Sequence, residues 1–349
     1  MKVTVTKYLN VRVGKPSLNA PCYQYLAPGS EIEVDGKLYK GDKDDGIYEG
    51  IDTWMKDEAG NYYWSGGFEK TITSSISINY LDYFKNYNFA WINNKGKGVE
   101  IIVIDAGIIL NKDYFDNSHI KQINLADDNN ALCHGNFICG IIGGIGPVYG
   151  VSNKADILSI KYYSNTSNDL KARLNNLISS LQTAISSNLP TVINLSQGFY
   201  DFQLSKFSSE KDKIIDLIES LGNKNNSIII CSAGDNKDIS DKIFPASLEH
   251  CISVGTISHE YRDIEIINKL DILTPMVRFS SYNNKFEVIS DYGSSFSTAI
   301  LSGLISSFIS SKNNNKYTKA DILIELKKSS TSRNNFEFDD LSKFQYNIL

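Results

Sequence analysis

Two hydrophobic patterns divide the chain. In residues 1–70, apolar and polar positions alternate in short runs. Val3-Thr4-Val5-Thr6 and Leu9 to Val13 have the period of two expected of strands with one buried face. Turn formers interrupt these runs at Gly14-Lys15-Pro16, Pro28-Gly29, Asp35-Gly36 and Ala59-Gly60-Asn61. Trp54, Tyr62, Tyr63 and Trp64 offer a small aromatic core. The pattern predicts a small all-β barrel over 1–70, followed by a polar linker over 71–78.

From residue 79 the pattern changes. Nearly continuous apolar runs at Val99 to Ile104, Ala155 to Lys161, Thr191 to Leu195, Ser227 to Cys231 and Cys251 to Val254 predict strands covered on both faces. Amphipathic stretches alternate with them. Asp169 to Ser187 places Leu170, Leu174, Leu177, Ile178, Leu181 and Ile185 on one helical face. Ser209 to Leu221 repeats the arrangement. Alternating strand and helix predicts a doubly wound, parallel-sheet α/β domain over 79–335, with a tail over 336–349. Ligands bind such sheets at the carboxyl ends of the strands.

Composition narrows the function. With 349 residues and 42% hydrophobic positions, the chain can fill one large core and one small one. A net charge of −5 lacks the basic footprint of a nucleic-acid partner. No apolar run approaches the length of a membrane span, and the alternating N-terminus lacks a signal-peptide core. Five scattered cysteines lack metal-site spacing; Cys133, Cys139, Cys231 and Cys251 sit in apolar runs and read as small buried hydrophobes. Free thiols favour a reducing compartment, so the expectation is a cytoplasmic protein.

Three segments carry candidate chemistry. An apolar strand from Val99 ends on Asp105, then Ala106-Gly107. Cys133-His134-Gly135 opens an apolar helix through Ile142. Gly293-Ser294-Ser295 enters a second apolar helix reaching about Ser310, which sets the Ser295 hydroxyl near free backbone N–H groups. Each alone is compatible with a structural role: a turn Asp, a packed His, an N-cap Ser. Together they stand in the order Asp, His, Ser, one of the chain orders of a nucleophilic triad.

All three resemble the motifs of subtilisin-like serine peptidases, the subtilases. Ile193-Asn194-Leu195-Ser196-Gln197-Gly198 is similar to the family's substrate-channel strand. Ser232-Ala233-Gly234-Asp235 is similar to its oxyanion segment, and Phe244-Pro245-Ala246 before Ile252 to Gly255 also fits. The resemblance covers about residues 78–330. It implies a subtilisin-like fold and a serine endopeptidase with the triad Asp105, His134 and Ser295. The oxyanion is then held by Asp235 and the Ser295 backbone, and the substrate pairs along Ser196, Gln197 and Gly198. Gln197 suggests a polar subsite. Residues 2–68 resemble the bacterial SH3-like domains attached to hydrolases, which implies a peptide or protein ligand on the barrel. The chemistry needs no cofactor; structural calcium occurs in the family, but no acidic loop here assigns a site.

The chain also departs from the family pattern. Ala106, Asn136, Phe137, Ser294 and Ala299 replace family residues, and the stretch Val288 to Gly293 is short. Asp235 stands where the family has Asn. An ionised carboxylate has no proton to donate, and losing one oxyanion donor costs about 10²–10³ in rate. A protonated Asp235, or Asn236 brought in by a register change, restores a donor. The expected role is regulated processing of a peptide or protein substrate. The alternative is a weak or inactive pseudoprotease that binds peptides.

Overall fold

The computed structural model describes residues 2–42, 45–48, 51–68, 78–80, 93–126, 128, 133–164, 169–235, 243–257, 270–275, 278–312, 316–327, 331–333 and 336–340. The chain divides into two compact units, Met1–Ile72 and Thr73–Leu349.

The first unit is all-β. Its five-stranded antiparallel sheet runs in the order Cys22–Leu26, Leu9–Val13, Asn61–Trp64, Thr53–Lys56, Tyr39–Lys40. Lys2–Thr4 and Glu31–Glu33 form a separate two-stranded ladder. Val3, Val5, Leu9, Val11, Val34 and Phe68 pack with Trp54, Tyr63 and Trp64 into one core. Trp54 Nε1 donates to Gly46 O at 2.8 Å, so the buried indole keeps a partner. The expected closed barrel is not seen among the described residues. Cys22–Leu26 and Tyr39–Lys40 remain open edges of the sheet.

The second unit is an α/β structure around one sheet. Its order is Ile120–Asn124, Asp156–Lys161, Glu100–Asp105, Thr191–Leu195, Ser227–Asp235, Cys251–Ile257, Ile272–Pro275, Phe336–Asp340, Thr331–Arg333. All pairings are parallel except the last. The strand order turns at Glu100–Asp105: the next two long strands lie to one side, the later ones to the other. Such a switch point opens a crevice at the carboxyl ends of the strands.

Strand alternation sorts the core into two layers. Ile102, Ile104, Ile193, Leu195, Ile229 and Cys231 share a cluster with Leu174, Leu177 and Leu181 of the helix Leu170–Ile185, and with Ile214 and Ile218 of the helix Ser208–Gly222. Asp169 caps the first of these helices, its carboxylate accepting from Lys171 N and Ala172 N. The helix Ser294–Ser311 lies on the other face, where Asn194 Nδ2 donates to Ser302 Oγ at 3.0 Å. Packed against it is the helix Cys133–Gly143; the rings of Phe137 and Phe296 meet tilted, with centres 4.4 Å apart. Asp105 has the strand parity of Ile101 and Val103, which directs it to this second layer.

Cys139, Cys231 and Cys251 are buried and Cys22 is exposed. Among the described residues no helix is long and apolar enough to cross a membrane.

Candidate active site

Asp105 ends its strand fully buried, and its Oδ1 accepts from Ala106 N at 2.6 Å. His134 sits in the first turn of its helix. Its Nδ1 lies 2.9 Å from Asp105 Oδ1 and 3.0 Å from Oδ2. With both carboxylate oxygens at Nδ1, the ring proton belongs there and Nε2 is left as the basic nitrogen. Two glycines permit the approach. Gly107 has φ +78°, and a Cβ on Gly135 would fall 1.9 Å from Gly107 O. A larger residue at 135 therefore forces the two backbones apart.

Burial alone would lower the His134 pKa. The Asp105 charge, its hydrogen bond and the Asp291 charge outweigh burial, and the pKa is raised above its usual value.

Ser295 lies in the first turn of Ser294–Ser311, partly exposed in an otherwise buried stretch. The ring of the next residue, Phe296, is 5.8 Å from that of His134. The Ser295 hydroxyl donates to Ser196 O at 2.6 Å. In return, Ser196 Oγ is 3.0 Å from Ser295 O. Gly293 precedes the helix with φ +146°, a conformation that disfavours any side chain.

Asp235 ends the strand Ser227–Asp235 beside this helix. Its Oδ1 accepts from Ser294 N at 2.6 Å and also from the Thr256 hydroxyl. The carboxylate thus serves as the helix cap that Gly293 cannot supply. Asn236 and Lys237 lie outside the described residues.

A cavity of about 270 Å³ opens here, lined by Ser196 to Tyr200 on one wall and by Gly234, Asp235 and Ser295 on the other. Gln197 and Gly198 follow the central strand Thr191–Leu195. The Gln197 amide, expected to face substrate, is instead engaged by Tyr162, Tyr163 and Arg173. Among the described residues no three His, Cys, Asp or Glu side chains converge as a metal site.

The family model described as the subtilase family matches residues 96–342. The chain belongs to the subtilase family. Solved structures with the same fold include a cold-adapted subtilisin-like serine proteinase at 19% identity, covering 71% of this chain and 89% of that one, TM-score 0.53. A second is the prenylagaramide maturation protease PagA, at 21% identity, 72% and 92% coverage, TM-score 0.55. A third is the nisin leader peptidase NisP of Lactococcus lactis, at 17% identity, 70% and 85% coverage, TM-score 0.53. A comparison with curated proteins gives no match.

Two residues of this subtilase carry more of the site than their sequence suggested. Asn136, one of the departures in the His helix, is fully buried; its Oδ1 accepts from Ile109 N at 2.8 Å and its Nδ2 donates to Asn283 O at 3.0 Å. It ties the loop after Asp105 to the hairpin Phe279–Tyr282/Val288–Asp291 that leads into Ser295. Thr256 fixes Asp235 from the position just after the Ile252 to Gly255 segment, where the sequence pointed to no site residue. Only the amide type at position 136, two residues after His134, was a signal in the sequence.

Proposed function

We propose that this subtilase is a serine endopeptidase that works by acyl transfer through Ser295. Ser295 Oγ leaves Ser196 O, gives its proton to His134 Nε2 and attacks the peptide carbonyl. His134 then protonates the leaving amine, while Asp105 holds the ring and stabilises the imidazolium. The Ser295 N–H takes the oxyanion. Asp235 adds a second donor if Oδ2 carries a proton, since Oδ1 is taken by Ser294 N and Thr256. The peptide pairs along 196–198 as an added strand. The observation that carries this reading is the two-oxygen contact of Asp105 with His134 Nδ1, at the sheet's switch point.

The substrate class we favour is a peptide or protein processed at a defined site, with activity under regulation. The N-terminal all-β unit is proposed as an SH3-like module for a peptide or regulatory ligand; its aromatic core supports this. A second reading, a pseudoprotease that grips peptides, has its own observation. The Ser295 hydroxyl points to Ser196 O, and Asp235 uses its oxygen as an acceptor. Labelling by a fluorophosphonate probe separates the two. The peptidase reading expects labelling of the full chain, lost in Ser295→Ala and in His134→Ala. An unlabelled wild type supports the pseudoprotease.

A further inference from the structure

Arg173 lies in the first turns of the helix Leu170–Ile185, half-buried beside the substrate-channel strand. A guanidinium keeps its charge in a protein, and a buried charge is normally paired. Arg173 takes part in none of the ion pairs among the described residues. Its Nε is buried with no acceptor among the described residues. Nη2 donates to Tyr162 Oη at 3.0 Å and to Gln197 Oε1. The guanidinium carbon stands 5.4, 4.7 and 4.9 Å from the ring centres of Tyr162, Tyr163 and Phe199.

These partners hold the cation without neutralising it. Aromatic faces attract a cation through their quadrupoles and carry no net charge. Burial raises the pKa of both tyrosine hydroxyls, so neither supplies an anion. The Asp105 carboxylate is felt by these tyrosines, but it bonds His134 and forms no ion pair with Arg173. Gln197 is held at both ends of its amide: Oε1 accepts from Arg173 and Tyr162, and Nε2 donates to Tyr163. Phe199 is at once a ring against the guanidinium and a wall of the cavity beside Ser295. Among the described residues, then, a guanidinium that forms no ion pair stands directly behind residues 197–199. A peptide pairing along that edge turns alternate side chains toward it.

We infer that Arg173 is a specificity-determining residue, selecting an acidic side chain in the substrate segment that precedes the cleaved bond. The inference rests on the peptidase reading of the same site. Carboxylate recognition by a guanidinium is geometrically favourable, and a half-exposed pair supports roughly five- to tenfold discrimination.

The test uses the full chain and fluorogenic peptides with Glu or Gln at each of the four positions before the cleaved bond. In the wild type, kcat/KM for Glu should exceed that for Gln by about five- to tenfold at one of these positions. Arg173→Lys should keep the preference, and Arg173→Met should bring the ratio to about one. A merely structural role would lower both substrates together and leave the ratio intact. No preference in the wild type, or one that survives Arg173→Met, overturns the inference. If no peptide is cleaved, the peptidase reading fails separately. Binding of the same peptides, followed by fluorescence anisotropy, then decides the charge preference, and equal or undetectable binding of Glu and Gln peptides overturns it.

Discussion

The two halves of the candidate site are built differently. On the Asp105–His134 side, both carboxylate oxygens already face Nδ1 and the acid is fully buried. On the Ser295–Asp235 side, the polar atoms that chemistry would use are taken by the protein itself. The Ser295 hydroxyl is held by Ser196 O, and Asp235 Oδ1 caps the Ser294 helix. The lesson is that one half is organised for its task before substrate arrives. In the proposed mechanism the other half exchanges these internal hydrogen bonds for substrate ones.

The sharpest way to break this comparison is Ser295→Ala. Peptidase turnover should fall by a factor on the order of 10⁶, with the melting temperature little changed. Turnover that survives would place the nucleophile elsewhere.

The next largest effect is expected of Asp235→Asn. The amide oxygen can still accept from Ser294 N and Thr256, while Nδ2 supplies a permanent donor toward the cavity. If the serine side limits the rate, kcat should rise by up to about 10²–10³. A slower variant would mean that the carboxylate charge itself has a task there.

Asn136→Ala tests the connection between the halves. It removes both hydrogen bonds of the fully buried Asn136, from Ile109 N and to Asn283 O, so unfolding should become easier by about 1–3 kcal/mol in urea titration. A stability within a few tenths of wild type would show that the tie between the Asp105 loop and the Ser295 hairpin is dispensable.

The smallest change is expected on the ready side. His134 must be neutral to act as base, and its raised pKa puts the acid limb of kcat/KM above about pH 6.5. Asp291→Asn removes one of the charges that raise it, so the limb should move to lower pH. A limb that stays in place would leave Asp105 as the sole source of the shift. The same pKa gives a stability sign. His134 contributes stability below its ordinary pKa, and this is lost as pH rises through the higher folded value.

Much of this was legible in the sequence because it is local. Thr191–Leu195 is a continuous apolar run and is a strand with those bounds. The run from Ser227 continues four residues past its expected end at Cys231, because Asp235 still pairs with Thr256 across a register shift. Ile120–Asn124 and Ile272–Pro275 gave no such run and join the sheet through their neighbours. The N-terminal unit shows its strands but no closed barrel among the described residues for a related reason: alternation predicts strands, while closure depends on stagger between strands far apart in sequence.

By itself the sequence determined the strand and helix periods, the chemistry available in the chain and the order Asp, His, Ser. These follow from residue type and near-neighbour spacing. Only the tertiary structure decided which groups each functional side chain meets. It brought His134 onto both oxygens of Asp105, turned the Ser295 hydroxyl to Ser196, set Asp235 on the helix end and placed Arg173 behind Gln197. Hydrogen bonds between residues tens of positions apart depend on how strands and helices stack, and local pattern does not encode that.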